Sequence, residues 1–361
     1  MGLSAGIVGL PNVGKSTIFN ALTSGKAQSA NYPFCTIDPN VGVVPVPDPR
    51  LGRIQQFITT EKVIPAALEI VDIAGLVRGA SKGEGLGNQF LANIRQVDAI
   101  LHVVRCFQDE DVVHVDGGVD AMRDVETIET ELMLADMDTL EKRMKRIGKM
   151  TDAESKTQMA AMNKAMDMLN ESQWLAHADF TEREREALLP LFLLSMKEIL
   201  YIANVHEDDL GGENEQVAKL RAHAKEAQAG VVLISGKIES ELADMDAEEA
   251  REFLHDLGME EPGLDALTRE TYRLLGLQSY FTAGKKEIRA WTVRVGAKAP
   301  EAAGVIHSDF ERGFIRAEVF TLAELETHKS EAEIRNQGLM RQEGKEYVVK
   351  DGDIMHFKFN V

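Results

Sequence analysis

The segment Gly9-Leu-Pro-Asn-Val-Gly-Lys-Ser16 has the residue types and spacing of a phosphate-binding loop. It follows a short apolar run, Ile7–Leu10, predicted as a strand, and precedes Thr17–Leu22, predicted as a helix, which is the context this motif requires. The glycines let backbone N–H groups surround the phosphates, and the helix N-terminus adds the positive end of its dipole. Lys15 is expected to reach the β- and γ-phosphates, and the Ser16 hydroxyl to ligate Mg²⁺. The sequence therefore predicts binding of a nucleoside triphosphate with Mg²⁺.

Two further segments have the residues expected in the rest of such a site. Asp72-Ile-Ala-Gly75 ends the predicted strand Leu68–Val71, where the carboxylate can hold Mg²⁺ through water and the Gly75 N–H can sense the γ-phosphate. Thr36 lies in the loop before the predicted strand Val41–Val46, and its order between the other two motifs favours a role in the Mg²⁺ shell. The predicted metal ligands are Ser16, Thr36 and Asp72.

Leu76 stands where Ras-like enzymes place a glutamine that orients the attacking water. Leucine has no polar side-chain group, so another residue must orient the water. The glycine-rich segment 76–88 follows the γ-phosphate sensor directly, where loss of the γ-phosphate would release it. The sequence therefore predicts a conformational switch at this loop.

The base-recognition position is Asn204-Val-His-Glu207, at the end of the predicted strand Ile199–Ala203. Guanine-specific proteins have Asn-Lys-x-Asp here, and the Asp accepts hydrogen bonds from groups that adenine does not present. Val205 and the longer Glu207 damage this guanine clamp, whereas Asn204 and the loop Ser235-Gly-Lys237 can still line a base pocket. These residues predict a preference for adenine.

The elements that position these residues read as an α/β domain. Short apolar runs bounded by Gly, Pro or Asn are typical of buried strands in a mostly parallel, doubly wound sheet, and most are separated by the length of a βαβ unit. The interval from Val104 to Ile199 is far longer. The predicted strands are Ile7–Leu10, Val41–Val46, Leu68–Val71, Ile100–Val104, Ile199–Ala203 and Val231–Ile234.

The long interval contains two apolar seams, 125–147 and 159–169, with apolar residues at alternating steps of three and four. Gly148 and a polar stretch separate the two seams, which favours an antiparallel helical hairpin or coiled-coil arm inserted into the domain. Two amphipathic helices packed on the domain are the alternative. Each seam is too short to decide between them.

After the last predicted strand of the sheet, two helices are expected to close the first domain, which ends near Leu277. The remainder alternates strand-like and helix-like segments and predicts a small α+β domain. The two helices expected to close the first domain are Ala247–Leu257 and Pro262–Leu275. The second domain is expected to contain one helix, Ala299–Phe310, and the strands Ile288–Val295, Phe314–Phe320, Tyr347–Lys350 and Ile354–Phe359.

The net charge of −19 argues against the whole molecule coating nucleic acid, because phosphate contacts require positive charge. Residues 279–361 contain 13 Lys and Arg against 13 Asp and Glu, so the whole excess falls in residues 1–278. Only Cys35 and Cys106 occur, which is typical of a reducing compartment, and no apolar stretch is long enough to span a bilayer. We expect a cytoplasmic protein that binds neither DNA nor membrane.

The motifs together resemble the Obg-like ATPases of the YchF group, within the translation-factor-related class of P-loop NTPases. The most specific segments are 9–17, 72–88, Asn204-x-x-Glu207 and 307–318, and the similarity covers essentially the whole chain. The resemblance implies an Obg-type G domain over residues 1–277, with a helical arm inserted at about 123–190, and a β-grasp TGS domain over residues 278–361. Members of the group are similar in preferring ATP to GTP and in associating with ribosomes, which implies contact with rRNA.

The resemblance also implies roles for single residues. His114 resembles the histidine proposed to orient water in this family, and Asn12 matches the position that helps some relatives hold K⁺. Asn204 and Val205 would lie beside the adenine. The residues implied to bind the triphosphate are Asn12, Val13, Gly14, Lys15, Ser16 and Thr17.

Three functions remain open from the sequence. The first is a slow, ribosome-linked ATPase switch acting in translation or the stress response, with Lys15 and His114 as catalytic residues. The second is a GTPase assembly factor with relaxed base choice. The third is a nucleotide-gated ribosome-binding module whose hydrolysis is incidental.

Overall fold

The computed structural model describes residues 3–24, 40–74, 86–109, 118–148, 150 and 152–360. These residues form two compact units. The first contains described residues 3–24, 40–42 and 69–267, and the second contains residues 43–68 and 268–360. No helix in these described ranges is long and apolar enough to cross a membrane.

The first sheet has six strands in the order β2-β4-β1-β5-β6-β7. Neighbouring strands within the set β4, β1, β5, β6 and β7 run parallel to one another. Asp72 N donates to Asn40 O and Val46 N to Ala66 O, so β2 runs antiparallel to β4. These strands are β1 (Ser4–Val8), β2 (Val41–Pro45), β4 (Ala67–Asp72), β5 (Ala99–Arg105), β6 (Glu198–Asn204) and β7 (Gly230–Ile234).

The predicted strands of this sheet are confirmed, because runs of apolar residues without polar alternation fit strands covered on both faces. Every residue of the central strand β5 is buried. The helices of the first unit include α1 (Lys15–Ser24), α3 (Leu86–Gln96), α7 (Glu215–Glu226), α8 (Gly236–Asp244) and α9 (Ala247–Asp256), and α10 (Gly263–Leu274) begins in the first unit and ends in the second.

The long interval between β5 and β6 contains the predicted pair of helices. They are α4 (Ala121–Ile147) and α5 (Ala153–Asn170), each beginning at an aspartate whose side chain caps the first turn. Leu140 and Met162 are fully buried in the seam between them, and Arg143 donates two hydrogen bonds to Gln158 Oε1 across it. A shorter helix, α6 (Glu182–Leu188), follows and begins with a capping box at Thr181.

The second sheet has six strands in the order β11-β10-β12-β8-β9-β3, with parallel and antiparallel pairs. The strands are β3 (Val63–Ile64), β8 (Leu277–Ala283), β9 (Ile288–Arg294), β10 (Phe314–Phe320), β11 (Arg341–Glu343) and β12 (Ile354–Phe359). Its helices are α2 (Pro49–Gln55), α11 (Ala299–Ile306), α12 (Ser308–Arg312), α13 (Leu322–His328) and α14 (Glu331–Asn336).

Two expectations for this α+β unit were wrong. The predicted strand Tyr347–Lys350 makes only an isolated bridge from Val348 to Lys298. The single helix predicted over Ala299–Phe310 is broken at His307, whose extended backbone (φ −164°, ψ 142°) ends α11, while its side chain caps α12. The Nδ1 atom of His307 accepts a hydrogen bond from Asp309 N at 3.1 Å, so this side chain replaces the backbone partner that a continuous helix would supply.

Candidate nucleotide-binding site

The turn between β1 and α1 has the backbone of a phosphate-binding loop. Asn12 (φ 63°) and Gly14 (φ 93°) both have backbone conformations in the left-handed region. The chain therefore turns tightly before the helix starts at Lys15. A Cβ atom at position 14 would lie 2.2 Å from Asn204 Nδ2. Glycine is therefore required at position 14 both by its conformation and by the close approach of a second loop.

Asn204 joins the phosphate loop to the turn before α8. Its Nδ2 donates to the Val13 carbonyl oxygen at 2.9 Å, and its Oδ1 accepts from Gly236 N at 3.1 Å. The side chain is 4 % exposed, so both hydrogen bonds are shielded from water. The predicted base-pocket asparagine thus also fixes the position of the loop that is predicted to bind the phosphates.

Lys15 and Asp72 meet at the carboxyl edge of the sheet. Asp72 lies opposite Ile7 in the parallel pairing of β1 and β4, and its Oδ1 accepts an ion-paired hydrogen bond from Lys15 Nζ. The two side chains are only 11 % and 23 % exposed. Beside β1, the connections that follow the strands leave toward opposite sides of the sheet. Ligands of open α/β sheets usually bind at such a point.

The predicted base-pocket residues lie in the turns after β6 and β7. Val205 is 2 % exposed, and its N–H donates to Ile234 O at 2.9 Å. Ser235 is 4 % exposed at the position before α8, and its hydroxyl has no protein partner among the residues described. Glu207 is engaged by Lys237, with Nζ 2.7 Å from Oε1.

These groups surround a cavity of about 840 Å³. The cavity brings together most of the predicted ligand residues and Lys237 of the predicted base-pocket loop, and it adds Phe107, Asp109 and His206. Val13 and Asp72 do not line it. The predicted residues that do are Asn12, Gly14, Lys15, Ser16, Thr17, Asn204, Val205, Glu207 and Ser235.

Known proteins with similar sequences cover the entire chain. The chain is 52% identical over 366 residues to the Ribosome-binding ATPase YchF of Bacillus subtilis (strain 168), with 100% of both proteins covered. It is 50% identical over 364 residues to the protein of the same name from Escherichia coli O157:H7, again with 100% of both covered. The chain belongs to the YchF family.

Domain families and a solved structure agree with this assignment to YchF. Residues 4–164 match the family described as 50S ribosome-binding GTPase, and residues 277–360 match YchF-GTPase_C, described as a protein of unknown function. The structure of the Schizosaccharomyces pombe YchF GTPase superposes with a TM-score of 0.90 at 39% identity, covering 99% of this chain and 97% of that one. The predicted family and fold class are confirmed.

Phe107 is a residue of this YchF site that sequence reasoning missed. It follows β5, the strand beside β1, and the guanidinium of buried Arg105 lies 4.7 Å from its ring centroid. Arg105 Nε also donates to Phe107 O at 3.1 Å. The available signal was its place at the carboxyl end of a strand next to the phosphate loop.

Three predicted site residues of the YchF chain lie outside the described residues. They are the metal ligand Thr36, the γ-phosphate sensor Gly75 and the water-orienting His114. Leu76, whose side chain argued for a substitute water-orienting group, lies outside them as well. Their roles stay predictions.

Proposed function

We propose that this chain is a ribosome-binding ATPase that hydrolyses ATP to ADP and phosphate as a conformational switch. The proposal rests on how Asn204 joins two parts of the site. Its side chain bonds the turn at Asn12–Ser16, which has the backbone of a phosphate-binding loop. It also leads into the turn with Glu207, whose carboxylate is already paired with Lys237. The YchF relatives from Bacillus subtilis and Escherichia coli are named ribosome-binding ATPases, which supports the same activity here.

On the phosphate side, Lys15 exchanges its partner when the triphosphate binds. Its ammonium group moves from the Asp72 carboxylate to oxygens of the β- and γ-phosphates, where it stabilises the charge that develops during transfer to water. Backbone N–H groups of Val13, Gly14 and Thr17 hold the remaining phosphate oxygens.

Oxygen donors suited to Mg²⁺ are present beside Lys15. Ser16 lines the cavity, and Asp72, once released by Lys15, offers a carboxylate at the adjoining strand end. Bound Mg²⁺ would neutralise charge on the β- and γ-phosphate oxygens. Thr36 and Gly75 complete this proposal as the third metal ligand and the γ-phosphate sensor.

On the base side, the residues favour adenine. Val205 replaces the lysine of guanine-specific proteins and is buried, while Phe107 adds an apolar ring to the cavity lining. The hydroxyl of Ser235, which has no partner within the described part of the chain, can bond a polar edge of the base. Aromatic and aliphatic surfaces stack on any base. Discrimination between adenine and guanine therefore depends on the polar groups of the site that are free to form hydrogen bonds with the base.

Removing the Lys15 ammonium tests the phosphate side. We expect Lys15→Ala to lower the rate of ATP turnover on the order of a hundredfold or more, because a preorganised cation at the transferred phosphate is lost. Phosphate release under saturating ATP measures this rate. Lys142→Ala, at an exposed lysine of α4, serves as the control, and equal rates for both variants would contradict the assignment.

Water activation is proposed for His114, since Leu76 cannot perform it. Turnover by His114→Ala with ribosomes present tests this role, and an unchanged rate would exclude it.

Asn12 is proposed to help hold K⁺ near the β- and γ-phosphates. Equal rates of turnover in Na⁺ and K⁺ would remove that assignment.

Hydrolysis of GTP is the second candidate activity. The matched family over residues 4–164 is described as a 50S ribosome-binding GTPase, and the Schizosaccharomyces pombe relative is named a YchF GTPase. Competition between ATP and GTP for the same site separates the candidates. A clear preference for GTP would replace the ATPase proposal.

The domain assignments extend this function to the whole chain. We propose an Obg-type G domain over residues 1–277 with its arm at about 123–190, and a TGS domain over residues 278–361. Within a −19 chain, the electroneutral segment 279–361 is the part proposed to meet rRNA, since it lacks the excess of negative charge. A ribosome-bound role places the protein in the cytoplasm.

A further inference from the structure

Lys237 and Glu207 come from two turns that lie side by side at the carboxyl edge of the first sheet. Strands β6 and β7 are parallel, with Asn204 opposite Ile234, so the residues that follow each strand are neighbours. Glu207 begins a single 3₁₀ turn after β6, and Lys237 is the second residue of α8 after β7. Lys237 Nζ lies 2.7 Å from Glu207 Oε1, and both residues line the nucleotide cavity.

We infer that Lys237 is a base-specificity residue, which disfavours guanine by holding the Glu207 carboxylate in an ion pair. This inference rests on the proposed function, because it requires the base of the nucleotide to bind between the turns after β6 and β7. A free carboxylate at this place accepts hydrogen bonds from the N1–H and exocyclic amine of guanine. Adenine presents neither group in that arrangement, so only guanine competes with Lys237 for Glu207.

The charges around Lys237 favour this pairing. Its pKa is raised, first by the hydrogen bond from Lys237 to Glu207 and further by the carboxylates of Glu241 and Asp208. Lys237 thus stays protonated and held among three acidic groups at neutral pH. Its removal would leave Glu207 beside uncompensated negative charge, where hydrogen-bond donors from guanine become its best available partners.

Solvent exposure limits the size of the effect. The Lys237 side chain is 62 % exposed and that of Glu207 is 29 % exposed, so water and salt screen the pair. Ion pairs of this kind contribute little individually, and the change in base preference is therefore expected to be about two- to fivefold. A change of this size is measurable as a ratio of two affinities in one protein.

The test uses the full chain and compares Mg²⁺-ADP with Mg²⁺-GDP in competition against a fluorescent ADP analogue. Lys237→Met keeps most of the aliphatic stem and removes the charge. We expect its GDP-to-ADP affinity ratio to rise about two- to fivefold over the unaltered chain. Lys237→Arg, which keeps a cation opposite Glu207, should leave the ratio within error of the unaltered chain.

A double variant shows whether the effect passes through Glu207. In Lys237→Met combined with Glu207→Gln, the carboxylate acceptor is gone and the gain in GDP affinity should disappear. An unchanged ratio in Lys237→Met would overturn the inference. An equal gain in the single and double variants would also overturn it, because Glu207 would then play no part.

A salt titration of the unaltered chain provides a measurement that does not depend on the folding of any variant. Raising NaCl from about 0.05 M to about 0.5 M screens the exposed pair, so the GDP-to-ADP ratio should rise. A flat or falling ratio would count against the inference. A GTP preference in the unaltered chain at low salt would instead refute the adenine preference in the proposed function, whatever the variants show.

Discussion

Asn204 is the residue whose hydrogen bonds connect the two halves of the nucleotide site. Both of its amide atoms are used within the protein, one by the phosphate loop and one by the turn before α8. A ligand that binds here therefore meets a base side and a phosphate side that are already held together. Such preorganisation lowers the cost of ordering the site during binding.

Asn204→Ala should weaken both the fold and nucleotide binding. The substitution leaves the Val13 carbonyl and the Gly236 N–H buried without this partner, at a cost of about 1–3 kcal/mol in the free energy of unfolding. Urea unfolding measures the stability, and titration with ADP measures the affinity. Asn170→Ala, at an exposed asparagine ending α5, is the control, and equal unfolding free energies for the two variants would contradict the role of Asn204.

At the scale of single residues, the sequence predicts those that belong to short contiguous motifs. The phosphate loop and Asn204 could be found because fixed spacing and the preceding strand define their places. The partnership of Lys237 with Glu207 could not, since it depends on how two turns far apart in the chain meet. Phe107 was missed for a similar reason, because its side chain reaches the cavity through the pairing of β5 with β1.

The seam between α4 and α5 is the element that stabilises the helical arm. Leu140→Ala removes a fully buried side chain from this seam and should lower the free energy of unfolding by about 2–5 kcal/mol. Leu134→Ala, on the same helix but 42 % exposed, should cost far less. Denaturant unfolding of both variants measures the difference, and similar losses would mean that the seam does not stabilise the arm.

Asp136 joins α4 to the segment that leads into β6. The carboxylate is fully buried and accepts hydrogen bonds from Leu194 N, Ser195 N and Ser195 Oγ. Burial raises the pKa of Asp136 to about 6, although these hydrogen bonds act in the opposite direction. Because the folded-state pKa is the higher one, the stability from this group is complete below the unfolded value and is lost as pH rises through about 6.

The unaltered chain and Asp136→Asn should therefore differ in a pH-dependent way. The free energy of unfolding of the unaltered chain, relative to that of the variant, should fall on the order of 2–3 kcal/mol between pH 4 and pH 7. Urea unfolding across this range measures the difference. Asp138→Asn, on the exposed side of the same helix, is the control because its carboxylate remains in water. If the free energy of unfolding of the unaltered chain, relative to that of Asp136→Asn, rose with pH, the assignment would be contradicted.

At the scale of elements, the sequence predicts those whose residues show one uniform pattern. The strands of the first sheet were predicted because they are apolar along their length, and the arm because its apolar residues repeat at helical spacing. Strand β8 was missed since Leu277-Gln-Ser-Tyr-Phe-Thr-Ala283 mixes polar and apolar residues without strict alternation. Its polar side chains pair within the unit, as Gln278 Nε2 does with Val349 O at 2.7 Å.

The whole molecule combines a strongly acidic first part with an electroneutral last part. All of the −19 charge falls in residues 1–278, where it would oppose approach to rRNA, whereas residues 279–361 carry equal numbers of acidic and basic side chains. Ribosome binding through the last part should therefore depend only weakly on salt, because few phosphate counterions are released. Cosedimentation with ribosomes across a salt series measures this, and a steep loss of binding would indicate a basic contact surface instead.

In the proposed function, one molecule couples ATP hydrolysis to ribosome binding. Steady-state turnover of ATP and of GTP by the full chain, each measured with and without ribosomes, tests it most directly. We predict a higher kcat/KM for ATP than for GTP and a change in ATP turnover when ribosomes are added. A higher kcat/KM for GTP, or ribosomes that bind the chain while leaving its ATP turnover unchanged, would contradict it.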